Sequence, residues 1–147
     1  MARVIGINHV ALEVGSVDEA LTWYGSFLDF ELRGRRATMA WIDLGDQFIA
    51  LSQGVGPIAD GDRHLGLVVD DKEAVRSALR ARGVDVAAAG NLRFRDPWGN
   101  QIEVVDYRQV QFSKTAAVLA GMGLADLAKD EAALSELRGK GLAERSG

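Results

Sequence analysis

The two histidines of this sequence are the side chains best suited to bind a metal ion or to move a proton. His9 and His64 stand 55 positions apart, and each falls in a β-rich segment that opens a similar run of elements. A single histidine in a strand is usually a packed or surface residue, whereas two at equivalent positions of a repeat favour a shared role. If the two strands lie side by side, both imidazoles project from one face, which predicts a metal site.

Glu103 is the candidate for a third, carboxylate ligand. It lies in an alternating segment, residues 101–107, in which Ile102 and Val104 point to the opposite face. A carboxylate inside an apolar strand is costly to bury unless it is paired or binds a metal. The alternative is that Glu103 lies on a solvated face, since one side of an antiparallel sheet is often wet.

Two further residues are candidates for acid–base work. Glu13 comes four positions after His9, so alternation predicts the same strand face, where a carboxylate orients an imidazole or acts as a general base. Tyr107 stands in the same relation to Glu103 and is a candidate proton donor. For Glu13 the alternative is a surface acid at a strand end, and for Tyr107 it is an aromatic residue that closes the core.

The elements that must position these residues occur twice along the chain. Alternation, helical periodicity and capping residues predict a strand over 3–14, a helix over 17–28 with Ser16 as N-cap, and strands over 30–33, 37–44 and 47–52. After a linker at 53–62 they predict a strand over 63–69, a helix over 71–82 that ends at Gly83, and strands over 84–88, 92–95 and 101–107. A turn is expected at 96–100. The result is one domain, residues 1–107, built from two β-α-β-β-β modules at about 4–53 and 63–107.

Residues 108–147 form a C-terminal extension without strand patterning. Short helices are predicted at about 113–120 and 130–137, with Leu134 and Leu137 on one side of the second helix. This apolar strip suggests a homodimer. The extension is expected to pack on its own domain or on a partner, and the alternative is that it is a separate functional element.

Composition excludes several classes of protein. The 147 residues are 48% hydrophobic and 26% charged, and they include no cysteine, so disulfides, thiolate zinc sites and cysteine nucleophiles are ruled out. No apolar run approaches the length of a membrane span, and no signal peptide is recognised, so a cytoplasmic protein is expected. The formal charge of −4 argues against nucleic acid. The basic cluster Arg33, Arg35 and Arg36 favours a solvated loop over an anion site.

A small-molecule cavity is predicted on the face that carries the candidate ligands. The small residues Ala11, Ala50 and Gly66 leave room there, and Trp41, Phe48 and Phe94 are candidates to line it. For each aromatic residue taken alone, ordinary core packing is the alternative.

The repeated pattern resembles the vicinal oxygen chelate superfamily, which includes glyoxalase I, extradiol dioxygenases and antibiotic-resistance proteins. The resemblance covers about residues 4–107 and is carried by three segments: INHVALEV, HLGLVV and DPWGNQIEV. It implies an α+β fold of paired βαβββ modules forming a cupped mixed sheet. By position, it also implies that His9, His64 and Glu103 bind one divalent metal ion.

Ala50 departs from that resemblance, because glyoxalases have a fourth ligand at this position. The remaining two histidines and one carboxylate are typical of non-haem Fe(II) sites, although Mn(II), Co(II), Ni(II) or Zn(II) suits the same ligands. The expected function is a metal-dependent enzyme, a dioxygenase, lyase or isomerase, acting on a small oxygen-chelating substrate. Extradiol enzymes use a further histidine that this chain lacks. The alternatives are a non-catalytic binding protein for an antibiotic-like molecule and a structural partner protein.

Overall fold

The computed structural model describes residues 9–45, 47–56, 59–60 and 64–143. The strands are β1 (His9–Val14), β2 (Leu32–Arg36), β3 (Met39–Asp43), β4 (Phe48–Gln53), β5 (Leu65–Val69), β6 (Leu92–Arg95) and β7 (Gln101–Asp106). The helices are α1 (Val17–Tyr24), α2 (Lys72–Ala81), α3 (Ala116–Gly121) and α4 (Glu131–Gly139), with a 3₁₀ turn at Tyr107–Gln109. No helix among these residues is long and apolar enough to cross a membrane.

The strands form two sheets. The first has the order β1-β4-β3-β2, in which β1 runs parallel to β4 while the other neighbours are antiparallel. The second has the order β5-β7-β6. The predicted α+β class with mixed sheet pairing is confirmed.

Capping residues account for where the helices start. Ser16 accepts a hydrogen bond from the Glu19 amide at 3.3 Å, as the sequence predicts, and Asp71 does the same for Ala74 at 2.9 Å. Gly83 follows α2 with a φ of +76°, the left-handed conformation that ends a helix. The first helix is shorter than predicted, because a turn in which the Phe27 amide donates to the Tyr24 carbonyl replaces its last residues.

One predicted strand is wrong. Residues 84–88 form no strand, because a buried arginine binds this part of the backbone. Arg76 is 3% exposed, and its guanidinium donates to the carbonyls of Ala87 at 2.6 Å and Gly90 at 2.7 Å. Its Nε donates to Glu73 at 2.8 Å, which neutralises the buried charge. A charged side chain therefore takes the place of a strand partner.

Contacts divide the chain into two units. The first unit comprises Met1–Leu65 and Phe94–Ile102, and the second comprises Gly66–Arg93 and Glu103–Gly147. The first unit thus contains the predicted first module together with the 96–100 turn. In its core, α1 packs with the buried sides of the first sheet; the buried residues there include Leu12, Val14, Val17, Ala20, Tyr24, Ile42 and Leu51.

Asp96 is the polar centre of the first unit. It is 4% exposed, and its Oδ1 accepts hydrogen bonds from the Trp98 and Asn100 amides at 3.0 and 2.8 Å. Its Oδ2 accepts from the Tyr24 hydroxyl at 2.9 Å and from Asn100 Nδ2 at 2.6 Å. Asn100 Nδ2 also donates to the Glu13 carbonyl at 2.9 Å. One carboxylate therefore links α1, β1 and the predicted turn, whose Gly99 has a φ of +88°.

The second unit buries the C-terminal extension against its own residues. Lys129 Nζ donates to the carbonyls of Tyr107 at 2.6 Å and Val110 at 2.8 Å, and to the carbonyl of Phe112. The same ammonium lies 3.4 Å from the centre of the Tyr107 ring. Leu137 is 5% exposed, so the predicted apolar strip is wrong for this residue, which contributes to the core instead.

Tyr24→Phe tests the Asp96 centre. The variant loses one buried hydrogen bond to a carboxylate, so we expect the free energy of unfolding near pH 7 to fall by about 2 kcal/mol. Urea denaturation measures the loss, and replacement of the exposed Asp29 by alanine should change stability by no more than about 0.5 kcal/mol.

The effect of Tyr24→Phe on the free energy of unfolding should depend on pH in the alkaline range. Burial, and after it the negative charge of Asp96, raises the pKa of Tyr24 above its ordinary value. Above about pH 10 the unfolded chain releases this proton while the folded chain keeps it, so the wild type loses stability as the pH rises. The stability difference between wild type and Tyr24→Phe should therefore shrink above about pH 10. A constant difference would show that Tyr24 is not held in this way.

Candidate functional site

One side of the first sheet carries His9, a candidate metal ligand, and Glu13, a candidate general base. Along β1, Leu12 and Val14 are buried, whereas His9, Ala11 and Glu13 are exposed on the other side. Sequence alternation correctly predicted that His9 and Glu13 share a face. The side on which they lie is called the His9 face below.

Strand pairing determines which other residues share the His9 face. In the parallel pair, Phe48, Ala50 and Ser52 stand beside His9, Ala11 and Glu13. From β3 and β2 come Asp43, Trp41, Met39, Gly34 and Arg36, with Gly34 opposite Trp41 and Arg36 opposite Met39. The His9 face therefore comprises His9, Ala11, Glu13, Gly34, Arg36, Met39, Trp41, Asp43, Phe48, Ala50 and Ser52, all within the first unit.

Phe48 holds the His9 imidazole. The two rings stack with centroids 4.6 Å apart and planes 8° from parallel. The Arg33 guanidinium also lies over the Phe48 ring, at 4.8 Å, and donates to Asp43 at 3.4 Å and to the Gly45 carbonyl at 3.0 Å. The His9 ring is thus oriented by a neighbour that is itself covered by an anchored arginine.

Small residues occupy the centre of the His9 face. Ala11, Ala50 and Gly34 form one row across the sheet with Trp41. Ala50 is 5% exposed, and as an alanine it has no side-chain atom that could bind a metal ion. Trp41 and Phe48 lie on this face as predicted. Phe94 does not line it, because it is buried in an aromatic cluster with Trp23 and Phe27, at centroid distances of 5.9 and 5.6 Å.

Glu13 lies at the opposite end of β1 from His9. Four residues of extended strand span about 13 Å, so the two side chains stand over different parts of the His9 face. The Glu13 carboxylate rests against Gly54, where any added Cβ would overlap it. Residue 54 must therefore remain glycine for the carboxylate to keep this position.

Glu103 and Tyr107 belong to the second unit. Glu103 lies in β7 with its side chain 19% exposed, and its Oε2 accepts a hydrogen bond from Arg93 at 2.9 Å. Ile102 and Val104 on either side are buried, as alternation predicted. Tyr107 is not in the strand, contrary to prediction: it begins the 3₁₀ turn and is buried beneath Lys129. This position corresponds to the core aromatic that was the alternative interpretation.

His64 directly precedes β5 and is exposed. It belongs with His9 to the first unit, whereas Glu103 belongs to the second. Within the described ranges, no group of three or more His, Asp or Glu side chains is close enough together to hold a metal ion. That His9, His64 and Glu103 bind one metal ion stays a prediction.

The basic cluster was predicted incorrectly. Arg33, Arg35 and Arg36 lie in β2 rather than in a solvated loop. The two residues between β2 and β3 make a tight hairpin that places Arg36 opposite Met39, and the Arg36 guanidinium lies 5.6 Å from the centre of the Trp41 ring. Recognising this hairpin in the sequence would have placed Arg36 on the face of Trp41.

Comparisons with known proteins agree on the fold. The model of the Glyoxalase/Bleomycin resistance protein/Dioxygenase superfamily matches residues 6–104. Metallothiol transferase FosB of Staphylococcus epidermidis (strain ATCC 12228 / FDA PCI 1200) is 23% identical over 116 residues, which cover 69% of this chain and 82% of FosB.

Solved structures give the same result. A mutant of the fosfomycin resistance protein FosX from Listeria monocytogenes, complexed with Mn(II) and 1S,2S-dihydroxypropylphosphonic acid, aligns with a TM-score of 0.59 at 12% identity, covering 69% of this chain and 90% of FosX. Lactoylglutathione lyase from Agrobacterium tumefaciens aligns with a TM-score of 0.54 at 20% identity, covering 69% of this chain and 93% of the lyase. At these identities the likeness establishes the fold alone.

Phe48→Leu tests the arrangement around His9. Loss of the stacked ring should move the His9 ring protons downfield in the NMR spectrum, because a proton above an aromatic face is shielded. The His64 signals serve as the internal control and should not move. Unchanged His9 signals in a folded Phe48→Leu variant would show that the two rings do not stack in solution.

Proposed function

Because the chain belongs to the Glyoxalase/Bleomycin resistance protein/Dioxygenase superfamily, we propose that it is a divalent-metal-dependent enzyme that acts on a small substrate with adjacent oxygen donors. The observation that carries this proposal is the pair of equivalent histidines, His9 and His64, together with Glu103 inside an otherwise apolar strand. Relatives support it, since FosB is named a metallothiol transferase and the FosX complex contains Mn(II).

The donor set fits such an ion by its chemistry. Two neutral imidazoles and one carboxylate suit Fe(II), Mn(II), Co(II), Ni(II) and Zn(II), and three protein ligands leave positions open for a substrate. When bound, the metal would act as a Lewis acid on the substrate oxygens. Fe(II) is the first candidate by ligand type and would add dioxygenase chemistry, although the chain has no further histidine for the proton transfer of extradiol enzymes.

The protein's own residues have three tasks in this proposal. Phe48 restricts the orientation of the His9 imidazole and thereby reduces the entropy that binding costs. Arg93 orients the Glu103 carboxylate through a hydrogen bond of 2.9 Å to Oε2. The carboxylate would then contact both Arg93 and the ion. Glu13 stands on the His9 face, where a carboxylate can accept a proton from a bound substrate.

A second candidate function is non-catalytic binding of a small molecule on the same face. The half-buried Trp41 and Phe48, with small residues between them, favour it, because apolar surface with few polar groups is typical of ligand sites. The absence of a three-donor group among the described residues also favours it. Under this alternative, the three candidate ligands have no common role.

His64→Ala and Glu103→Ala distinguish the two functions. Each should lower the metal content from about one ion per chain to well below that, because two remaining ligands bind at least tenfold more weakly. Elemental analysis of protein made without an affinity tag and reconstituted anaerobically with Fe(II) or Mn(II) measures the content. Asp85→Ala, which removes an exposed carboxylate of the second unit, should retain the ion.

Mixing variants tests how the ligand set is completed. We propose a homodimer, in which the ligands come either from one chain or from two copies. If two copies share a site, mixing His9→Ala with Glu103→Ala restores part of the metal binding, whereas sites within one chain stay empty. Full metal content in both His64→Ala and Glu103→Ala, with unchanged circular dichroism, would contradict the metal site.

A further inference from the structure

The β2 edge of the His9 face carries an arginine that no carboxylate among the described residues neutralises. Of the three clustered arginines, Arg33 donates to Asp43 at 3.4 Å, and Arg35 forms an ion pair with Asp18. Arg36 makes no hydrogen bond or ion pair with the residues that the structure describes. Its exposed guanidinium lies 5.6 Å from the centre of the Trp41 ring.

The residues that share a cross-strand row beside Arg36 are small or aromatic. Trp41 is half-buried, and its cross-strand neighbours are Gly34 and Ala50. A Cβ at Gly34 would lie 3.5 Å from Trp41 Cε3, so the missing side chain leaves that part of the indole uncovered. With Ala11 next to Ala50, the row has no bulky side chain other than the indole itself.

The acidic groups of the face lie away from Arg36. Asp43 is paired with Arg33 and lies four residues along β3 from Met39, which faces Arg36. Glu13 lies in the same cross-strand row as Arg36, but three strand spacings of about 4.8 Å separate their backbones. His9 and Arg33 add no negative charge. The surroundings of Trp41 on the β2 side are therefore complementary to an anion.

We propose that the His9 face binds an aromatic carboxylate, with the carboxylate on Arg36 and the ring against Trp41. The planar guanidinium matches a carboxylate with two parallel hydrogen bonds, and its position over the indole limits the freedom lost on binding. An aromatic carboxylate would be the substrate class of the proposed enzyme, and its conversion rests on the proposed function. Binding of the carboxylate itself involves only residues of the first unit.

Benzoate is the probe, and it is added to metal-free protein in the presence of a chelator. Two-dimensional NMR should show shifts at the Trp41 indole and at the Ala50 amide, assigned with the help of Trp41→Phe. Benzamide, which is neutral, and propionate, which lacks a ring, should each bind at least tenfold more weakly. Equal affinity for benzamide would overturn the role of the charge, and equal affinity for propionate would overturn the role of the ring.

Two adjacent arginines provide matched variants. Arg36→Gln should weaken benzoate binding at least tenfold, because a charge-assisted hydrogen-bonding partner is lost, and should leave benzamide binding unchanged. Arg35→Gln should bind benzoate as the wild type does, because Arg35 pairs with Ala40 and points to the other side of the sheet. Unchanged benzoate affinity in Arg36→Gln, or no benzoate shifts on the His9 face, would overturn the proposal.

The two proposals fail separately. If the wild-type protein binds metal but not benzoate, only the anion site is rejected. Normal benzoate binding in a protein that takes up no metal would reject only the metal-dependent reaction.

Discussion

A buried carboxylate, Asp96, is the constraint on which the first unit depends. Burying an ionised group is unfavourable unless all its hydrogen-bonding capacity is used, and here four donors from three residues supply it. Because those donors come from α1 and from the turn, neither can move without leaving the charge unpaired. Asn100 extends the same network to the end of β1, the strand that begins with His9. The network thus anchors the far end of the strand that carries the first candidate ligand.

The chemistry of the His9 face depends on register. Because side chains alternate along a strand, a shift of one residue would turn His9, Trp41 and Arg36 into the core and bring Leu12 and Val14 to the surface. Burial of the opposite side opposes such a shift. The hairpin between β2 and β3 then aligns Arg36 with Met39, and the small residues in the next row leave Trp41 accessible. A surface suited to a small ligand therefore follows from constraints that act mainly on the core.

Local signals predicted much of the fold. Alternation identified β1 and β7, Ser16 located the start of α1, Gly83 located the end of α2, and the Pro-Trp-Gly-Asn sequence located the turn after Asp96. The errors arose where distant contacts decide. Residues 84–88 look like a strand but bind Arg76, and Tyr107 leaves β7 to pack beneath Lys129. Tyr24 and Asp96 stand 72 positions apart, so no local pattern reveals their bond. For the candidate site, sequence found the faces of His9, Glu13 and Glu103 but not the position of Arg36.

We propose that His9, His64 and Glu103 bind one divalent ion. Paramagnetic Mn(II), added in small amounts to protein labelled with ¹⁵N, tests it most directly, because the ion broadens the signals of nuclei near it. We expect the amide signals at positions 9, 64 and 103 to broaden first and together, with those of exposed acidic residues such as Asp85 unaffected. Broadening confined to other acidic residues, or none below a large excess of Mn(II), would contradict it.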